Sequence, residues 1–168
     1  MNRKTYRILR LLAAVPGLYP LLAFLTVRRV IIRGRSMSPT LVHGERVLFD
    51  RLAYRIQRPR RGDIVLARHP SQRRLRIIKR IVGVPEEGVA DVEGIVVALS
   101  PTLMDEAKAN DPSAARFALG PDEYFLLGDA RDVSADSRQF GPVRRRDILA
   151  RAWLVYWPLA RFRWLSTD

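Results

Sequence analysis

Arg76-Ile77-Ile78-Lys79-Arg80-Ile81-Val82 sets the class of this chain. With a period of two, Ile77, Lys79 and Ile81 fall on one face and Ile78, Arg80 and Val82 on the other, the pattern of a strand with two partly buried faces. Similar short runs, rich in Val and Ile and bounded by turn residues, lie on both sides of it. They are Val30–Ile32, Arg46–Phe49, Asp63–Arg68, Gly94–Ala98, Tyr124–Leu127 and Ala152–Trp157, and together they predict a mainly β domain. Leu52–Ile56, Thr102–Ala109 and Arg144–Ala150 read as short helices. Residues 99–122, with Ala, Pro, Asp and Ser and weak periodicity, read as a variable surface excursion.

The 168 residues suit one domain of ordinary size. Absence of cysteine excludes disulfides, thiolate metal sites and a cysteine nucleophile, and two histidines make a multi-histidine zinc site improbable. The formal charge is +13, and residues 1–35 carry eight basic residues and no acid. Leu11 to Val27 is a run of 17 uncharged residues between Arg7, Arg10 and Arg28, Arg29. As a helix it would reach about 26 Å, close to a hydrocarbon core. No small-residue cleavage pattern follows it, so it reads as a retained transmembrane anchor rather than a removed leader. The expected layout is a basic tail over 1–10, an anchor over 11–27 and a catalytic domain over 28–168. Four basic residues flank each side of the anchor, so charge does not orient it.

Of 30 basic residues only Lys4, Lys79 and Lys108 are lysine. Lys4 and Lys108 stand in polar surroundings, whereas Lys79 shares a strand face with two isoleucines. Two explanations fit. One is a lysine that snorkels or guards a sheet edge; the other is a desolvated amine whose pKa falls until it can accept a proton, which arginine cannot do. Ser36 sits in Arg33-Gly34-Arg35-Ser36-Met37-Ser38-Pro39, after an apolar strand. Gly34 permits a close approach of backbone N–H groups to a carbonyl, and Ser38 before Pro39 reads as a turn residue. A loop without chemical consequence fits the same residues.

Four blocks occur in order: Gly34-Arg-Ser-Met-Ser-Pro-Thr-Leu, Arg61-Gly-Asp-Ile-Val, Ile78-Lys-Arg-Ile-Val-Gly-Val-Pro and Gly128-Asp-Ala-Arg-Asp-Val-Ser-Ala-Asp-Ser-Arg-Gln-Phe-Gly. Together they resemble the type I signal peptidases, membrane-bound serine–lysine endopeptidases. The resemblance implies a β-rich catalytic domain outside the cytoplasm, behind a single membrane span in the cell membrane. It makes Ser36 the nucleophile and Lys79 the general base, with no histidine, cofactor or metal. The oxyanion would be held by the backbone N–H of Ser36, with Gly34 where some members place a hydroxyl. Ser134 would orient the lysine, and Asp136 with Arg138 would brace the site, while Asp129 and Arg131 match a second, structural pair. The block departs from the usual pattern at Ala130 and Val133, which replace Asn, and Pro85-Glu86-Glu87 replaces Pro-Gly-Asp.

The implied substrate is an exported preprotein with small residues at −1 and −3. Such a chain would add to a strand edge and seat alternate side chains in shallow pockets; Ile32 and Ile78, beside the nucleophile and base, are candidate walls. The tail Ala152-Trp-Leu-Val-Tyr-Trp-Pro-Leu-Ala-Arg-Phe-Arg-Trp-Leu interleaves aromatics with arginine, a pattern that seats at a lipid headgroup boundary or stacks bases. Beside an apolar anchor the bilayer is preferred, and no nucleic-acid partner is expected. A monomer is expected. The competing readings are a peptidase of the same chemistry dedicated to one precursor, a self-cleaving repressor (which would need a helix-turn-helix domain in place of the apolar run), and a membrane-tethered basic nucleic-acid-binding domain.

Overall fold

The computed structural model describes residues 26–92, 95–99 and 115–165. The expected anchor, apart from Thr26 and Val27, and the expected helix Thr102–Ala109 lie outside the described residues. Every strand pairing is antiparallel.

The strands are β1 (Arg28–Ile31), β2 (Arg46–Asp50), β3 (Ile64–Arg68), β4 (Arg76–Gly83), β5 (Gly88–Val92), β6 (Ile95–Leu99), β7 (Ala115–Ala118), β8 (Glu123–Leu127), β9 (Val143–Arg144), β10 (Ile148–Trp157) and β11 (Arg163–Trp164). Two single-turn helices, α1 (Ala53–Ile56) and α2 (Ser137–Phe140), and three 3-10 turns lie between them among the described residues from 28 to 165. A large sheet runs β1-β2-β10-β3-β4-β8-β9, with β11 added to β10, and a small sheet runs β6-β5-β7.

Alternation along β3 explains why the large sheet is buried on both faces. Ile64 and Leu66 join a core with Ile32, Met37, Leu41, Val47, Phe49 and Val155. Val65 and Ala67 join a second core with Tyr54, Ile81, Tyr124, Leu126 and Val143. A third cluster, Val89, Leu119, Phe125 and Leu127 with Phe117 against it, binds the small sheet to the back of β8.

Most expected strands form within one or two residues of their expected bounds. Arg144–Ala150 is not a helix: one 3-10 turn at Arg145–Asp147 leads into β10, which begins at Ile148. Its Ala, Leu and Arg favour a helix locally, but burial alternates residue by residue from Ile148 to Leu154, and pairing with β2 and β3 overrides propensity. The excursion at 99–122 contains β7, which pairs with β5 and sets the Phe117 ring 4.9 Å from that of Phe125. Strand β5, Gly-Val-Ala-Asp-Val, escapes the sequence pattern because its Gly, Ala and Asp are poor strand formers.

Candidate active site

Lys79 lies in the middle of β4, opposite Val65 of β3, so its stem is held by the ladder on one side. Only 4% of it is exposed. Its Nζ donates to Ser134 Oγ at 2.7 Å. Burial pushes the amine below its ordinary pKa, Asp136 opposes this, Arg138 reinforces it and Asp129 opposes it.

Ser134 follows a 3-10 turn at Arg131–Val133 in the loop between β8 and α2. Its hydroxyl bonds the Asp136 carboxylate. Because a hydroxyl has one proton, giving it to Asp136 leaves the Ser134 oxygen to accept from Lys79. Asp136 is fully buried and caps α2. It accepts from Arg138 Nε at 2.9 Å and Nη2 at 3.1 Å, and from the Gly128 N–H at 3.2 Å. Burial alone would raise the Asp136 carboxyl, but the hydrogen bonds from Arg138, Ser134 and Gly128 hold it below the usual carboxylate range. Arg138 also donates to the Arg131 carbonyl at 2.6 Å, which closes the loop.

Ser36 is half-buried in a turn whose backbone is tied by Ser38 N–H to Arg35 C=O and Leu41 N–H to Met37 C=O. Met37, 2% exposed, plugs the turn into the first core. Gly34 takes φ = 91°, a conformation that side chains disfavour, and its N–H donates to His43 Nδ1 at 3.2 Å. The turn meets the Ser134 loop directly, since Ala130 N–H donates to the Ser36 carbonyl at 3.1 Å. Gly128 makes this possible: a Cβ there would overlap Ser134 Oγ and the Ser36 carbonyl oxygen.

A second network lies beside the first. Arg80, the neighbour of Lys79, grips Asp129 at 2.9 and 2.8 Å and reaches Thr40 Oγ1 at 3.3 Å. Burial would raise Asp129, but Arg80 and Thr40 hold it below its ordinary value. The ion-pair partner of Asp129 is therefore Arg80, which ties β4 to the loop after β8 and, through Thr40, to the Ser36 turn, while Arg131 acts on Asp129 only through its charge.

Ser36 and Lys79 line one groove of about 1030 Å³, together with Gly34, Met37, Ile32 and Ile78. Among the described residues no group of three or more His, Asp or Glu is placed to hold a metal ion.

A family model described as "Signal peptidase, peptidase S26" matches residues 5–157. The chain belongs to that family. Membership places it among the serine endopeptidases. Relatives include "Probable signal peptidase I-2" of Synechocystis sp., 33% identical over 82% of this chain and 66% of its own length. "Signal peptidase I" of Leptolyngbya laminosa is 32% identical over 77% of this chain and 68% of its own. A "Mitochondrial ATP-independent inner membrane protease subunit 1b" of Arabidopsis thaliana is 35% identical over 77% and 69%. The chain thus spans about two thirds of the length of these relatives. A crystal structure of a signal peptidase I from Enterococcus faecalis matches 57% of this chain and 97% of its own at 28% identity, with a TM-score of 0.43.

Among the described residues no helix is long and apolar enough to cross a membrane. Of the site residues expected from sequence, Lys79, Ser134, Asp136 and Arg138 form one bonded cluster; Ser36, Ile32 and Ile78 share the groove with Lys79. Gly128, Thr40 and Arg80 were not expected there, because their roles depend on what approaches them in space.

Proposed function

We propose that this chain removes signal peptides from exported preproteins, with Ser36 as nucleophile and Lys79 as general base. The observation that carries the reading is the placement of a buried, depressed lysine on the same groove as Ser36, with its Nζ held by Ser134. A deprotonated Lys79 gives one N–H to Ser134 and keeps its lone pair for the Ser36 hydroxyl. The serine oxygen then attacks the scissile carbonyl, and the amine later returns the proton to the leaving nitrogen. Charge on the tetrahedral oxygen falls to backbone donors, of which the Ser36 N–H is the candidate. Gly34 contributes conformation, because its own N–H is already engaged by His43.

Asp136 fixes the Ser134 hydroxyl, and Arg138 balances the Asp136 charge, so that the carboxylate restrains the lysine without reprotonating it. Small side chains at −1 and −3 would sit where Ile32 and Ile78 narrow the groove. Residues 11–27 are the proposed membrane anchor of a single-pass protein whose residues 28–168 act on the outer side of the cell membrane. Trp157, Leu159, Phe162 and Trp164, all exposed, form the face proposed to rest on lipid.

The test is incubation of the detergent-solubilised chain with a preprotein carrying an Ala-x-Ala site, followed by mapping of the new N-terminus. Cleavage after the second Ala that disappears in Ser36→Ala supports the assignment. Cleavage that persists in Ser36→Ala overturns it.

A further inference from the structure

The groove has a second end. Along β4 it passes Ile78 and Ile77 to reach Arg76, three residues or about 10 Å from Lys79. Along β1 it reaches Arg28 and Arg29. Arg51 follows two residues after Phe49, the register partner of Arg28, and so stands diagonally beside Arg28 just outside the groove lining; burial, then repulsion from Arg51 and Arg76, lowers the pKa of Arg28. Across the β3–β4 ladder Arg76 stands directly opposite Arg68, a like-charge register that destabilises a sheet. Arg68 has Asp147 at 3.8 Å. Among the described residues Arg28, Arg51 and Arg76 have no carboxylate partner.

Cations gathered at one groove, against their mutual repulsion and without a counter-ion among the described residues, are complementary to an anion brought by whatever fills the groove. We propose that Arg28, Arg51 and Arg76 form a subsite for an acidic side chain of the bound polypeptide, about four to six residues before the cut. This rests on the proposed peptidase reading, in which the −1 and −3 side chains occupy the stretch lined by Ile32 and Ile78. At about 3.3 Å per residue, a chain leaving that stretch away from Ser36 reaches the arginines after a few more residues. Two of these arginines line the cavity that also holds Ser36 and Lys79, which favours the bound chain over a lipid headgroup as the anion. Preproteins with Asp or Glu at these positions are therefore the favoured substrate class.

The test uses the full chain in neutral phosphatidylcholine and peptides that differ only by Glu, Gln or Lys at single positions on either side of an Ala-x-Ala site. Affinity is read by fluorescence anisotropy on the Ser36→Ala protein, and KM on the active one. Glu before the cut should lower Kd and KM about threefold to tenfold relative to Gln, and Lys should raise them. The difference should shrink as salt rises from about 50 to about 500 mM. The Arg28→Gln, Arg76→Gln double variant should lose the Glu-over-Gln preference, and Arg76→Glu should turn it toward Lys. Equal affinity for the three peptides, or a preference confined to positions after the cut, would overturn the subsite. So would a double variant that keeps the peptide preference while losing affinity for phosphatidylglycerol vesicles, since the cluster would then read lipid. Charge-dependent binding to Ser36→Ala protein without cleavage by the unmodified chain would uphold the subsite and refute the peptidase reading instead.

Discussion

The large and small sheets are built from the same kind of strand, yet they hold their parts together by different physics. Around Lys79 the large sheet gathers a dense set of charged hydrogen bonds: Lys79 to Ser134, Ser134 and Gly128 to Asp136, Asp136 to Arg138, and Arg80 to Asp129 and Thr40. The small sheet is joined mainly through its apolar cluster of Val89, Leu119, Phe125 and Phe117, with the Arg61–Glu87 ion pair at its entry. At the junction a Cβ on Gly83 would stand 2.7 Å from Val89 and 2.9 Å from Leu119, so the two units pack tightly there. Directional bonds fix the orientation of a proton donor and acceptor, whereas apolar burial fixes only that two surfaces stay together. Substitutions in the first region should therefore act on rate, and substitutions in the second on stability.

The largest effect is expected at the proposed dyad. Ser36→Ala and Lys79→Arg should each lower preprotein cleavage by about a thousandfold or more, with far-UV circular dichroism unchanged. Arginine keeps charge and bulk but cannot give up its proton, so substantial cleavage by Lys79→Arg would break the contrast at its centre. Gly128→Ala comes next, because the added methyl pushes the Ser134 side chain away from the Ser36 carbonyl. About a hundredfold loss in kcat is expected from displacement of this kind, and unchanged kcat would show that the turn and loop adjust freely.

Ser134→Ala should cost about ten- to a hundredfold in kcat, the scale of one positioned group in proton transfer. The pH profile checks the same point. Since burial lowers the Lys79 pKa, kcat/KM should rise with pH as the ammonium loses its proton, with a midpoint below that of an exposed lysine. A flat acidic limb would remove Lys79 as base.

Phe117→Ala, on the small sheet, should lower stability by about 1–3 kcal/mol in urea unfolding, while kcat stays within about twofold of the unmodified chain. A large loss of kcat there would join the two regions functionally. The smallest effect concerns Glu86, which adopts φ = 67° in the turn between β4 and β5. Glu86→Gly should raise stability by about 0.5–1 kcal/mol by relieving that strain, and leave cleavage unaltered.

The residues that cluster around Lys79 were in large part legible in the sequence. The strand around Lys79 is marked by alternation, and burial of a lone lysine among isoleucines leads to a depressed amine before any contact is known. The motif of residues 128–141 signals Ser134, Asp136 and Arg138. Less was legible where neighbours in space decide the outcome. Arg80 and Asp129 are 49 positions apart and their pairing leaves no local pattern. Strand β7 hides in a polar-looking segment because four residues carry too short a period, and β10 opens with helix-forming residues that its two partner strands overrule. The tail shows the same division. Its alternating arginines and aromatics suggested a headgroup belt, but Arg161 and Arg163 turn inward onto Glu45, 1% exposed, while Trp157, Phe162 and Trp164 stay outside.

Alternation and turn residues suffice for a mainly β chain, and the four ordered blocks for its resemblance to the serine–lysine signal peptidases and for Ser36 and Lys79 as the proposed pair, because period, residue type and block order are carried by the chain itself. The meeting of the Ser36 turn with the Ser134 loop across Gly128, the choice of Arg80 as partner of Asp129, and the cationic far end of the groove emerge only on folding. Each depends on which distant segments the strand pairing brings within a few ångströms, and a long-range pairing leaves no mark on either segment alone.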